Sequence, residues 1–301
     1  MSLVGTGTIG LDTVETPFGR AEDVLGGSMV YFSISASLFT MVRLVGVVGE
    51  DFPDQHRAVF AKREIDLAGL ETRAGSKTFR WTGKYEGDMN EAETVSIDLN
   101  VIAEQAPKVP DAYRDSEYVF LAATHPALQQ SMVKEFPNAQ LVVCDTRDFW
   151  IDAEKAELAK ILSLVGGVVL NDGEARMFTG ETNLITAGRR ILGFGPKFVI
   201  IKKGEHGAML CTKEVVVTLP SFPTDKVKDP TGAGDSFAGG MMGYLAGIGK
   251  FEVGQLRRAM AYGTITASFT IEDFSLRGIE TVTRTMVDER LAQYTQMLTF
   301  G

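Results

Sequence analysis

The sequence is short of the residues that define several classes of protein. It holds two cysteines, Cys144 and Cys211, each inside an apolar run (LVVCD and AMLCT). That is too few for a disulfide scaffold, and the apolar setting predicts buried, reduced thiols of an intracellular protein. Three histidines, His56, His125 and His206, lie scattered with no metal-ligand spacing, so a histidine-built metal site is not expected. No run approaches the roughly 20 consecutive apolar residues of a membrane span. The start lacks a basic stretch leading into an apolar one, which argues against secretion and for a cytoplasmic location. Positive charge is also scarce: 30 Lys and Arg stand against 39 Asp and Glu, a net charge of −9. Such a balance gives a poor footprint for nucleic acid or an anionic membrane, and no run of Lys and Arg supplies a local one.

What is present is an ordinary globular composition, 45% hydrophobic and 23% charged over 301 residues. That length predicts a single large domain over 1–301, able to bury about three quarters of its unfolded surface without disulfide or metal. Short apolar runs alternate with amphipathic stretches, the pattern of a parallel sheet with crossover helices. Strands are expected at 43–48, 118–123, 141–145, 167–170 and 198–202, with a late hairpin at 208–211 and 215–219. Helices are expected at 27–40, 126–136, 153–164, 174–179, 233–246 and 253–269.

One region departs from this alternation. Residues 77–85 place Thr78, Arg80, Thr82 and Lys84 on one face and Phe79, Trp81 and Tyr85 on the other, the pattern of a half-exposed strand. With extended segments at 94–101 and 11–17, it suggests a small sheet built from roughly 11–20 and 77–101, serving as a lid or as the surface of a homodimer. An extra edge of the main sheet fits the same alternation.

Two glycine-rich segments bear on chemistry. Gly5-Thr6-Gly7-Thr8-Ile9-Gly10 matches the dinucleotide-binding string, which works only where the turn follows a strand and opens a helix. The following LDTVETPFGR reads as extended, so these glycines are assigned to a first strand with close neighbours. A nicotinamide enzyme would require a helix at 11–19. The second segment, Asp229-Pro230-Thr231-Gly232-Ala233-Gly234-Asp235-Ser236, runs into the small-residue stretch FAGGMMGYLAG. A glycine turn opening a helix presents free N–H groups and the positive end of the helix dipole, a natural anion cradle without the lysine of a Walker A loop. Asp235 fits either a favourable first-turn carboxylate or a general base held beside that anion, which phosphoryl transfer to a hydroxyl requires.

DPTGAGDSFAGG resembles the C-terminal signature of the ribokinase-like (PfkB) family of carbohydrate and nucleoside kinases. Gly26-Gly27 before SMVYFSISASLF, Asn171-Asp172-Gly173-Glu174 after VVL, and IIKKGEHGAML resemble three further family motifs, in family order and across almost the whole chain. The resemblance implies a three-layer α/β/α sandwich with a mostly parallel sheet and a small β-sheet lid. It also implies an ATP-dependent phosphotransferase acting on a hydroxymethyl group of a sugar or sugar-like substrate, with a nucleoside as the alternative acceptor. A catalytically inactive regulator would keep the fold and lose the chemistry.

Residue by residue, the resemblance makes Asp235 the base and gives the anion hole to Gly232, Ala233 and Gly234. Asn171 and Glu174 organise Mg²⁺ through water; locally, they also read as a helix cap and a first-turn carboxylate. Lys203 and Gly204 lie along the nucleotide, or Lys203 is simply an exposed strand-end lysine. Asp12, Gly26, Gly27, Ser28 and Tyr31 face the acceptor. Asp12 also reads as a solvated turn residue, and Tyr31 as helix core. Asp229 and Thr231 match positions that hold a monovalent cation such as K⁺ in many members, although ASFTIEDFS departs from the family pattern there. Ser28 and Tyr31 replace the amide-bearing residues common in sugar kinases, which suits a nucleoside or another acceptor with an apolar part. The acidic run Glu86, Asp88, Glu91 and Glu93 disfavours a phosphorylated acceptor, with Arg80, Lys84 and Arg147 as the candidate anion contacts.

Overall fold

The computed structural model describes residues 1–299. A short strand β1 (Leu3–Thr6) opens the chain and gives way to extended β2 (Gly10–Thr16) and β3 (Gly19–Gly26). The segment expected to be helical in a nicotinamide enzyme is therefore β2. Gly5 lies in β1, where a side chain would meet Met29 Cε at 2.6 Å.

The alternating units follow. They are α1 (Ser28–Ala36), β4 (Val42–Gly49), α2 (Asp54–Ala61), β5 (Asp66–Arg73), β6 (Phe79–Tyr85), β7 (Ala92–Asp98) and β8 (Tyr118–Leu121). After them come α3 (Pro126–Val133), β9 (Leu141–Asp145), α4 (Asp148–Ala153), α5 (Lys155–Leu162), β10 (Gly167–Asn171), α6 (Asp172–Thr179) and α7 (Leu184–Leu192). The chain ends with β11 (Phe198–Lys202), β12 (Ala208–Cys211), β13 (Val216–Leu219), α8 (Ala233–Ile248), α9 (Val253–Thr270) and α10 (Arg284–Leu298). The helix expected over 153–164 is interrupted at Glu154, whose backbone (φ −133°, ψ 35°) leaves the helical region between α4 and α5.

Nine strands form one sheet in the order β13-β12-β11-β10-β9-β8-β1-β4-β5, parallel from β11 to β5 and antiparallel at the late hairpin. Successive side chains of a strand point to opposite faces, and the two faces feed separate cores. In β9, Leu141 and Val143 join the core of α1, α8, α9 and α10, while Val142 and Cys144 join that of α3, α5, α6 and α7. Both cysteines are buried and free. The layers are those of a ribokinase-like α/β/α sandwich.

Helix α8 is wedged between α1 and α9 through its small residues. A side chain at Gly243 would meet Ala36 O at 2.7 Å, one at Gly263 of α9 would meet Phe237 O at 2.6 Å, and one at Gly239 would overlap Phe32 O. On the other side of Phe32, its ring stacks on Phe120 of β8 at 4.3 Å. Such a pair contributes about 0.5–1.5 kcal/mol beyond its buried area.

Strands β3, β2, β6 and β7 form a separate four-stranded sheet. Its rings turn inward: Phe79, Trp81 and Tyr85 are buried with Val14 and pack against Met89 and Ile102. The rings are thus covered within this chain, because alternation marks which residues share a side and not what that side meets. The exposed apolar residues of this sheet are instead Val95 and Ile97, on β7.

Substituting Gly239→Val forces a β-branched side chain against main-chain atoms that cannot move aside. We expect a loss of stability at the upper end of the about 1–3 kcal/mol typical of overpacking, measured by chemical denaturation.

Candidate active site

The site gathers at the C-terminal ends of the parallel strands, where open α/β sheets bind ligands. It begins with a turn. Asp229 is buried, and its carboxylate accepts the N–H of Thr231 at 2.9 Å and that of Ser275 at 3.0 Å. These bonds account for Asp229 as a brace holding the turn against the segment that follows α9. Gly232 then takes a left-handed conformation (φ +74°) as the residue capping α8. A side chain at Gly232 would also overlap the ring of Tyr31, so the position demands glycine twice.

The first turn of α8 has no side-chain cap. Of the three expected anion-hole amides, that of Ala233 donates to Pro230 O at 3.1 Å. Among the described residues, the N–H groups of Gly232 and Gly234 have no protein acceptor. The cradle is therefore open at Gly232 and Gly234. Asp235 follows in the same turn. Withdrawal from water, then the nearby Asp145 carboxylate, pushes Asp235 up to about 6, while Lys202 and Arg147 oppose the rise.

The expected acceptor residues gather around the paired glycines. A side chain at Gly26 would overlap the carboxylate of Asp12, and one at Gly27 would meet Thr8 O at 2.6 Å. Gly27 N–H donates to Asp12 Oδ2 at 3.3 Å. Asp12 is buried rather than a solvated turn residue, and its Oδ1 has no partner among the described residues. Burial raises this carboxyl to about 7, with Asp229 and Asp235 adding and the Gly27 bond and Arg147 opposing. Tyr31 is also buried with its hydroxyl unpartnered among the described residues. A buried polar atom left unpaired costs about 1–3 kcal/mol, so these two atoms mark where a polar ligand would be gained. Ser28 differs: its Oγ accepts Thr8 N–H at 3.1 Å, and its N–H donates to Thr8 Oγ1 at 3.1 Å. That reciprocal pair anchors the start of α1.

The residues expected at the nucleotide lie at the ends of β10 and β11. Asn171 and Glu174 cap α6 reciprocally, each side chain accepting the other's N–H at 2.7 Å. This leaves Glu174 Oε1 outside the pair. Withdrawal from water and Asp145 push Glu174 up to about 7, while Lys202 opposes. Among the described residues, no three His, Cys, Asp or Glu side chains converge on one point. Partial ligation of this kind fits Mg²⁺, which keeps several of its waters. Lys203 and Gly204 lie in the turn after β11, where Lys203 N–H donates to Gly207 O at 2.7 Å.

Two residues that the sequence reading passed over complete the site. Asp145 ends β9 and Lys202 ends β11, and they pair at 3.0 Å. The signal was a charged residue closing an otherwise apolar strand at the sheet's C-terminal edge. Of the expected anion contacts, Arg80 pairs with Asp23 and Asp51, and Lys84 with Glu86 and Glu15. Arg147 is exposed and makes no ion pair among the described residues.

The small sheet touches this cleft twice. Thr231 Oγ1 lies 3.3 Å from Tyr85 Oη, and a side chain at Gly204 would meet Asn90 Oδ1 at 2.5 Å.

The site thus sets an open helix start beside a half-buried carboxylate and two unpartnered buried polar atoms, Asp12 Oδ1 and Tyr31 Oη. Residues 32–281 match the model described as pfkB family carbohydrate kinase, and the chain belongs to that family. It is 29% identical to the cytidine kinase of Thermococcus kodakarensis over 82% of this chain and 90% of that protein. The nucleoside kinase of Burkholderia thailandensis, solved with inosine, superposes with a TM-score of 0.77 at 17% identity over 98% of this chain and 99% of that one. An E. coli protein described as a candidate ribokinase II, solved with ATP and Mg²⁺, gives 0.78 at 16% identity over 97% and 99%. The expected family and fold are both borne out.

The raised carboxyls carry a stability prediction. Folded Asp12 keeps its proton up to about 7, whereas the unfolded chain releases it near 3.8. Asp12 therefore withdraws stability as pH rises across that window and returns it as pH falls. Wild type should gain melting temperature relative to Asp12→Asn on going from about pH 8 to about pH 5. Parallel curves in differential scanning calorimetry would refute the assignment.

Proposed function

We propose that the protein is an ATP- and Mg²⁺-dependent kinase that phosphorylates the hydroxymethyl group of a nucleoside. The carrying observation is the pair of buried, unpartnered atoms, Asp12 Oδ1 and Tyr31 Oη, beside Asp235 and the open start of α8. A carboxylate oxygen accepts from a sugar diol, and the Tyr31 ring adds apolar surface. The similarity to a cytidine kinase supports the same choice over a free sugar. A phosphorylated acceptor is disfavoured, since Arg80 and Lys84 are already paired and the β6–β7 turn carries Glu86, Asp88 and Glu91.

Asp235 accepts the proton of the attacking hydroxyl. At about 6 it is ionised near neutral pH while still basic enough to take that proton. The Gly232 and Gly234 N–H groups and the helix dipole stabilise charge on the phosphoryl oxygens. Glu174 and Asn171 would hold Mg²⁺ through its waters, and the ion supplies neutralisation of phosphate charge. Lys203 and Gly204 border the nucleotide, with Tyr85 and Asn90 closing the cleft from the small sheet as a lid. A K⁺ ion beside Asp229 and Thr231 is tested by turnover in KCl against NaCl. A homodimer through the small sheet would use β7, and light scattering reads it.

The direct experiment follows ADP release with Mg·ATP across nucleosides, free sugars and sugar phosphates. We expect nucleosides to be turned over, Asp235→Asn to lose about 10²–10⁴-fold in kcat, and kcat/KM to fall as pH drops through about 6. Exclusive turnover of free sugars or sugar phosphates would overturn the nucleoside reading. ATP binding with no acceptor turned over would favour a regulator on a kinase fold.

A further inference from the structure

Lys202 is a cation in a site otherwise crowded with carboxylates. Its Nζ lies 3.0 Å from Asp145 Oδ2, with the two side chains only 18% and 5% exposed. The same Nζ sits against the start of α8, where a side chain at Gly234 would meet it at 2.8 Å. Asp145 is itself fixed. Its Oδ1 accepts Thr146 N–H at 2.7 Å, and its carbonyl accepts Gln129 Nε2 at 2.9 Å. Gln129 is buried and also ties down Leu121 O and Ala122 O, at the end of the neighbouring strand β8.

A buried ion pair rarely repays its desolvation, so stability alone is a weak reason for this one. Its position points to an anion. The ammonium lies beside Gly234 at the open start of α8, and the surrounding carboxylates would otherwise repel an anion drawn to that helix start. We infer that Lys202 is a catalytic cation whose ammonium contacts the transferred phosphate, and that Asp145 is the positioning residue that aims it. The inference rests on the kinase reading above. Before phosphate arrives, Asp145 neutralises Lys202 and draws its ammonium away from the Asp235 base; when phosphate binds, the ammonium shares itself between Asp145 and a phosphoryl oxygen. The step itself is the ordinary transfer. The acceptor oxygen bonds to phosphorus, the bridging P–O bond to ADP breaks, and the hydroxyl proton passes to Asp235.

The test uses the full chain and compares wild type, Lys202→Met, Asp145→Asn and the charge-balanced pair Lys202→Met/Asp145→Asn, which keeps the protein folded if Lys202→Met alone does not. Contact with the transferred group predicts a loss of about 10²–10³-fold in kcat for both variants that lack Lys202. The affinity for ADP should stay within about threefold of wild type, while the affinity for ADP with tetrafluoroaluminate falls with kcat. Asp145→Asn should lose less than Lys202→Met, and the double variant should lose no more than Lys202→Met. A kcat within about threefold of wild type without Lys202 overturns the inference, as does an equal fall in ADP and ADP–tetrafluoroaluminate affinity, which marks a structural cation. No turnover in wild type with any acceptor sinks the kinase reading and this inference together; turnover in wild type with an unchanged double variant sinks this inference alone.

Discussion

The Asp229 carboxylate holds the approach to α8 between two backbone amides, those of Thr231 and Ser275. The geometry at the start of α8 depends on that grip. It sets the left-handed turn at Gly232, which places the Gly232 and Gly234 amides at the mouth of the helix and Asp235 in its first turn. The helix is held equally firmly from behind, through glycines that let α1 and α9 approach to backbone contact. Ser236 shows the two constraints meeting, since its hydroxyl accepts from Thr270 and its carbonyl from Thr266, both on α9. A catalytic residue on such a helix has little freedom to drift, as chemistry built on positioning requires.

Much of this was legible in the sequence, for a physical reason. Glycine at 26, 27, 232 and 234 encodes backbone shape directly, and the buried strands are unbroken apolar runs, so the sheet and the anion turn could both be read. What escaped was information carried by contacts. Asp145 and Lys202 are 57 positions apart in sequence and touch only because β9 and β11 flank β10. The β5 strand and α10 lack a clean period, since each lies against the body with few fully buried residues. The inward-facing rings of β6 show the same limit, because a half-buried strand does not announce what covers it. Gly7 was grouped correctly as a crowded position, although it lies just past β1, where a side chain would meet Ala122 Cβ at 2.6 Å.

The carboxylates of the site are individually unfavourable. Asp12, Glu174 and Asp235 are all raised by burial and by neighbouring carboxylates, Asp145 prominent among them. The fold tolerates this because its two cores, filled by alternate residues of the same strands, do the stabilising elsewhere. Active sites commonly carry such local cost, and substitutions that relieve it trade activity for stability. Lys202 and Arg147 partly offset it, one from within the sheet edge and one from the exposed loop after β9.

Tyr85 and Asn90 lie on the same continuous stretch of the small sheet, β6 and the turn that leaves it. The first reaches Thr231 and the second reaches Gly204. If Gly204 borders the nucleotide and the α8 turn borders the acceptor, as proposed, the two share one door. A displacement of that sheet that frees one product would then also uncover the other. A molecule wedged beneath either end of the strand would detain whatever occupies the other.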